Sequence, residues 1–224
     1  MKTYFVCLAN SKKYGERCIA GIELSKTDSG DFTPLLIESK PKWIRPVSGD
    51  INGQVPSELV KGIALFDIVE IEILERKPLG YQSENTSFEP NSIKVVGKYD
   101  KFEIFEKILV EHPTCIFGNR GKALDEQSMQ HIHRSLILVK VSQAIVHVKF
   151  ERFKYHFRLQ FMHNNVIYDL PITDVDYIDK YLENNKDFNS SKIIEKDIFL
   201  TISLGIVFEG WYYKLVAGIL EMLK

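Results

Sequence analysis

Residues 136–161 read LILVKVSQAIVHVKFERFKYHFRLQF, and the phase of their alternation decides the fold class. Val146 and Val148 point one way and His147 and Lys149 the other, the period of two that a half-buried strand imposes. After Glu151 and Arg152 the apolar positions become Phe153, Tyr155, Phe157, Leu159 and Phe161, so the phase slips by one residue. One extra residue swaps the two faces of a strand, which predicts a bulge or tight turn at Glu151-Arg152. The opposite face then carries Arg152, Lys154, His156, Arg158 and Gln160, a basic face with aromatic neighbours.

Downstream, His163-Asn164-Asn165 suits a hairpin turn into the strand NVIYDLPIT, because Asn tolerates left-handed backbone. Thr173, with Asp176 three residues on, suits the start of an acidic, solvated helix over VDYIDKYLEN. DIFLTISLG (197–205) reads as a buried strand, and GWYYKLVAGILEML (210–223) as a strand or a helix, since a short apolar run decides neither. Upstream lie a glycine-rich stretch, IFGNRGKALD (116–125), and a short helix around EQSMQHIHR.

In the first half, TYFVCLA (3–9) and RCIAGIEL (17–24) read as strands around a polar, basic loop, NSKKYGE. Prolines 34, 41 and 46 fix PLLIESKPKWIRPVSGD as an edge strand or extended crossover. ALFDIVEIEIL (64–74) sets Val69, Ile71 and Ile73 against Glu70 and Glu72, the pattern of a sheet with one wet face. SIKVVGKY follows, and KFEIFEKILVE (101–111) spaces Phe102, Phe105, Ile108 and Leu109 as a helix that His112-Pro113 would close. The expected division is therefore 1–113 and 114–224.

With 29 Lys plus Arg against 30 Asp plus Glu the net charge is -1, so no global field draws this chain of 224 residues to a polyanion or an anionic membrane. Any such site has to be a local patch. No run approaches the ~20 apolar residues of a membrane span, and MKTYFVCLANSKK has too short an apolar run for a signal peptide. Cys7, Cys18 and Cys115 form no C-x-x-C, which fits a reducing cytoplasm rather than a disulfide framework or a zinc knuckle.

Catalytic patterns are incomplete. His131 and His133 lack an acidic or thiol partner at metal-ligand spacing, and Cys7 and Cys18 behave as small apolar residues if they face each other in reduced form. Gly118-Asn119-Arg120-Gly121-Lys122 lacks the spacing and the Lys-Ser/Thr end of a phosphate loop. Glu84 and Asp67, with His112 or His156, supply acid and base types without any sign that they converge. The expectation is no catalytic residue, no metal and no cofactor.

Binding features are stronger. Asn10, Ser11, Lys12, Lys13 and Arg17 surround one loop with donors suited to phosphate oxygens, or make a plain solvated loop. Trp43, Arg45, Gln82, Glu84 and Asn85 add an aromatic plane, a guanidinium fork and polar side chains suited to stacking and reading a base. Arg152, Lys154, His156 and Arg158 form a secondary basic face.

Five segments, CLANSKKYGERCIAG (7–21), KWIRPVSG (42–49), YQSEN (81–85), FLTISLG (199–205) and YYKLVAG (212–218), resemble the dual OB-containing domain. That prokaryotic family is built from two oligonucleotide/oligosaccharide-binding (OB) barrels. The resemblance implies a mainly β fold (β-rich α+β), with two OB-like barrels in one compact unit and a few short helices. It implies recognition of nucleic acid or nucleotide, in settings of mobile elements and anti-viral defence. It places Asn10, Ser11, Lys12, Arg17, Trp43, Arg45, Gln82, Glu84 and Asn85 in a binding surface and transfers no catalytic role.

The resulting expectation is a non-catalytic, cytoplasmic module for single-stranded nucleic acid or a modified nucleotide. Lys12, Arg17 and Arg45 would contact phosphate, Trp43 would stack, and Gln82, Glu84 and Asn85 would read polar edges. Two alternatives stand beside it: an accessory protein that docks a partner effector protein, and a divalent-ion-dependent nucleic-acid hydrolase using Glu84.

Overall fold

A computed structural model describes residues 1–49, 53–102, 105–184 and 189–221. The chain is strand-rich and divides into two compact units, Met1–Leu109 and Val110–Lys224.

The first unit is a closed barrel of β1 (Lys2–Lys13), β2 (Glu16–Lys26), β3 (Trp43–Val47), β4 (Asp67–Arg76) and β5 (Asn85–Phe88), with α1 (Ser57–Val60) between β3 and β4. The order is β1-β2-β3-β5-β4, and β4 returns to β1, so the barrel wall itself has no free edge. β3 and β5 pair in parallel and every other wall pair is antiparallel. A parallel pair needs a long crossover, which α1 and β4 supply. Short strands Phe32–Pro34 and Lys94–Lys98 extend the wall from β2 and β4. Phe5, Cys7, Ile19, Ile44, Val69, Ile71, Ile73 and Phe88 fill the interior, and Val55, Val60 and Ile63 close it. Each such side chain stabilises the fold by roughly 1.5–3 kcal/mol when fully buried. A register shift between Cys7 and Ala9 bends β1 around this core.

Two sequence expectations change here. Asn10–Lys13 and Glu16 belong to the strands, and the loop between β1 and β2 is only Tyr14-Gly15, at φ of 50° and 88°. Left-handed backbone at both central residues matches the twist of the flanking strands, so polar residues ride on a hairpin that runs past the core. Trp43–Val47 is also no edge strand: it sits in the wall between β2 and β5. Pro46 is tolerated there because Arg45 N donates to Glu84 O, which turns the next amide toward the other edge, where β2 pairing has ended at Ile44. Of the expected helix 101–111, Phe105–Leu109 forms a single wide turn, and residues 103 and 104 lie outside the described residues.

The second unit repeats the order with broken strands. β6 (Leu136–Val141) and β7 (Ala144–Glu151) are successive halves of one path, as are β10 (Asn189–Ile194) and β11 (Ile198–Phe208). With β8 (Lys154–His163), β9 (Val166–Pro171) and β12 (Trp211–Glu221) they form two four-stranded sheets: β9-β8-β7-β10, and β6-β11-β12 joined by Ala123–Leu124. α2 (Val175–Asn184) follows β9 as α1 follows β3. Among the described residues the sheets are bridged in parallel at Ile172 and Val216, reinforced by Thr173 N donating to Val216 O at 2.9 Å. The result is a half-barrel.

The slip at 151–152 is a tight turn whose central residues are Arg152 and Phe153, at φ of 50° and 61°. Phe153 is therefore no core residue but 98% exposed at the tip. Asn164 and Asn165, both left-handed, turn the next hairpin. The start of α2 is capped by Asp174 rather than Thr173, and 211–221 is a strand.

Candidate functional site

The resemblance motifs of the first unit meet around the β1–β2 hairpin, β3 and the segment 77–84 between β4 and β5. Arg17 lies opposite Lys12, bonds through its backbone to Val55 and reaches Asn10 Oδ1 at 3.4 Å. Asn10 is buried and donates to Ile63 O at 2.7 Å, and Ser11 donates to Cys18 O at 3.3 Å.

Ile44 points into the core, so Trp43 and Arg45 share the opposite face of β3. There Arg45 pairs with Glu84 at 3.1 Å, with 3% and 2% of the two side chains exposed. Asn85 donates to Gln82 Oε1 at 3.2 Å, and paired backbone bonds between Leu79 and Gln82 tighten the same segment. Trp43 is 6% exposed and its indole N–H has no partner among the described residues.

In this structure Arg45 faces Glu84, Trp43 is buried, and Gln82, Glu84 and Asn85 are buried where the segment 77–84 meets β3. Glu84 is held by Arg45, and Asp67 by Lys98 at 2.8 Å and the Ala64 amide at 2.7 Å, so neither is an idle acid or base. What remains accessible is the hairpin tip. Lys12 is exposed, Lys13 and Arg17 are half-buried, and Tyr14 stands 65% exposed between them. Burial lowers the Lys13 ammonium below its ordinary range; Cys18 offsets part of this and Arg45 adds to it. The sequence reading missed Tyr14, although an aromatic residue before Gly15 in a basic loop was visible.

Cys7 faces Gly21 and Cys18 faces Ser11, so the two cysteines are not cross-strand partners. His131 and His133 are both exposed. Among the described residues no three His, Cys, Asp or Glu side chains are grouped to hold a metal.

In the second unit Arg152, Lys154 and His156 are exposed, while Arg158 pairs with Asp169 at 2.8 Å. Two buried charges there went unread. Lys214 is fully buried, donates to Asn119 O at 2.7 Å and lies 5.0 Å from the Tyr168 ring centre. Burial pushes its ammonium down to about 8. It ties down the loop 118–122 that only faintly resembles a phosphate loop. Asp174, also fully buried, accepts from Tyr177 N at 3.1 Å and Ile219 N at 2.7 Å, and burial pushes its carboxyl up to about 7.

Two units with one strand order, the first closed and the second half-open, define a tandem OB-type β protein. The chain belongs to the dual OB-containing domain family, whose pattern it matches over residues 3–219. Among solved structures it is similar to the tetrameric p202 HIN2, at 10% identity and a TM-score of 0.29, covering 96% of this chain and 87% of that one. The p204 HINb domain is similar at 10% identity and a TM-score of 0.36, covering 95% of each chain. No curated protein matches. No helix among the described residues is long and apolar enough to cross a membrane.

Proposed function

We propose that this chain is a non-catalytic module that binds single-stranded nucleic acid or a modified nucleotide. The observation that carries this is the β1–β2 tip: Tyr14, held outward by a two-residue turn, is flanked by Lys12, Lys13 and Arg17 on a closed barrel of a fold that commonly binds oligonucleotides. Rings stack on bases and cations follow phosphates.

The test is fluorescence anisotropy of labelled single-stranded DNA, single-stranded RNA and duplex at two salt concentrations. Salt-sensitive binding that Tyr14→Ala weakens about tenfold is expected, since stacking contributes about 1–3 kcal/mol per base. Unchanged binding by Tyr14→Ala together with Lys12→Ala and Arg17→Ala sinks this assignment of the site. Docking of an effector protein is a second reading, supported by the apolar β11–β12 tip, where Val207, Phe208 and Trp211 are exposed around Glu209-Gly210. It expects no nucleic-acid binding, together with a complex that a Phe208→Ser, Trp211→Ser variant fails to form.

A further inference from the structure

We infer that the β7–β8 hairpin, Lys149–His156, is a second contact for single-stranded nucleic acid, with Phe153 and the Phe150–Tyr155 pair as its base platform. This rests on the nucleic-acid reading and extends it to the other unit.

The hairpin outruns its core, as the alternation shows. Val146, Val148, Phe157 and Leu159 are buried on one face; the next residues on that face, Phe150 and Tyr155, are 40% exposed and half-buried, with ring centres 4.9 Å apart. Tyr155 continues inward to Phe157 at 6.1 Å, so the platform is anchored on packed aromatic residues. Phe153 stands beyond it, its ring almost wholly in water. The opposite face places Lys149 across from His156, Glu151 across from Lys154 and His147 across from Arg158. Asp169 takes the charge of Arg158, and His147 Nδ1 lies 2.9 Å from Ser191 Oγ. Among the described residues no carboxylate pairs with Lys149, Arg152 or Lys154.

Backbone conformation makes the placement of Phe153 informative. A bulky side chain at positive φ is disfavoured, and the second position of such a turn normally takes Gly. Folding alone would favour Gly at 153; an aromatic ring held fully in water at a strained position implies use of the ring. Planar faces beside cations that pair with no described carboxylate match a strand with unstacked bases. A duplex hides its base faces, and an acidic peptide offers none.

The test pairs affinity with stability, using labelled oligothymidine and oligouridine of about 20 nucleotides. Phe153→Gly is expected to raise the thermal midpoint while weakening single-strand binding about tenfold at an unchanged salt slope. Lys149→Ala with Lys154→Ala is expected to flatten that slope by about 0.7 for each phosphate no longer neutralised. Wild-type binding that Phe153→Gly leaves intact overturns the inference and spares the Tyr14 reading. Absence of wild-type binding to either strand overturns both. Adsorption to phosphatidylserine vesicles, abolished in Phe153→Gly while nucleic-acid binding stays at the wild-type level, overturns the inference in favour of a membrane contact.

Discussion

The first unit buries its charges in pairs, whereas the second buries them singly. Arg45 meets Glu84, and Glu23 receives Lys42 at 3.0 Å and Arg76 at 2.5 Å. Among the described residues Lys214 and Asp174 have no ion-pair partner and meet carbonyls, amides and a ring. A buried pair is directional: it ties one chain segment to another and punishes loss of either member. A buried single charge instead makes the fold depend on pH, because its proton equilibrium differs between the folded and unfolded chain. The same strand order thus carries a latch in one unit and two titrating groups in the other.

The sharpest way to break the comparison is to remove half of a pair. Glu84→Gln leaves Arg45 buried against a neutral amide and is expected to destabilise the first unit by about 3–5 kcal/mol. An Arg45→Met, Glu84→Leu double substitution is expected to recover most of that loss. The chain has two tryptophans, Trp43 in the first unit and Trp211 in the second, so urea unfolding of a Trp211→Phe background isolates the effect. A loss below about 1 kcal/mol would mean that the pair behaves like an exposed one. Gly21 offers a neighbouring test without charge: a Cβ there would lie 1.8 Å from Val6 O, so Gly21→Ala forces β1 and β2 apart. It is expected to cost at least the ~1–3 kcal/mol of overpacking, read by the same unfolding curve.

The single charges predict an unusual pH profile for the second unit. The folded Asp174 carboxyl, at about 7, titrates above its ordinary 3.8, so the folded unit binds more protons between these values, and stability falls as pH rises from about 4 to about 7. The folded Lys214 ammonium, at about 8, titrates below its ordinary 10.5, so the unfolded chain binds more protons there, and stability recovers as pH rises from about 8 to about 10.5. Together they set a minimum near pH 7–8, with limbs on the order of 2–4 kcal/mol. Asp174→Asn should flatten the acid limb and Lys214→Met the alkaline one. Urea midpoints followed through Trp211 in a Trp43→Phe background measure both, and a single optimum near neutrality would refute the profile.

Strand alternation exposed much of this architecture in the sequence. Residues 136–161 revealed both the strands and the turn, because one face is core and a slip of one residue is visible as a change of phase. Asn164-Asn165 announced its own turn chemistry. The burial of Trp43 and Arg45 was not legible because both faces of β3 are buried, and alternation shows that faces differ without showing that the polar face is covered. Asn10–Lys13 read as loop because polar side chains carry no apolar signal, even where, as at Asn10 and Ser11, they are buried. Lys214 and Asp174 were invisible for a different reason. Their burial is set by elements distant in sequence, Asn119 for one and Ile219 for the other. The resemblance motifs of the first unit gather in one neighbourhood, and they contain buried side chains as well as exposed ones.

The two hairpin tips give the smallest and most discriminating comparison. Both turns hold two residues at positive φ, but Tyr14-Gly15 has glycine at the second position and Arg152-Phe153 has none. If the turns were tuned for folding, Asn-Gly would be favoured at both. Tyr14→Asn corrects one unfavourable position and is expected to stabilise the first unit by a few tenths to about 1 kcal/mol. Arg152→Asn with Phe153→Gly corrects two positions, and its gain in the second unit should be the larger, measured by the shift of each unit's own tryptophan transition. A larger gain at 152–153 would fit a tip whose residues are kept at the expense of stability, as expected of a contact surface. No gain at either tip would mean that the local backbone relaxes around the bulky side chains, and the conformational case for Phe153 as a presented ring would fall.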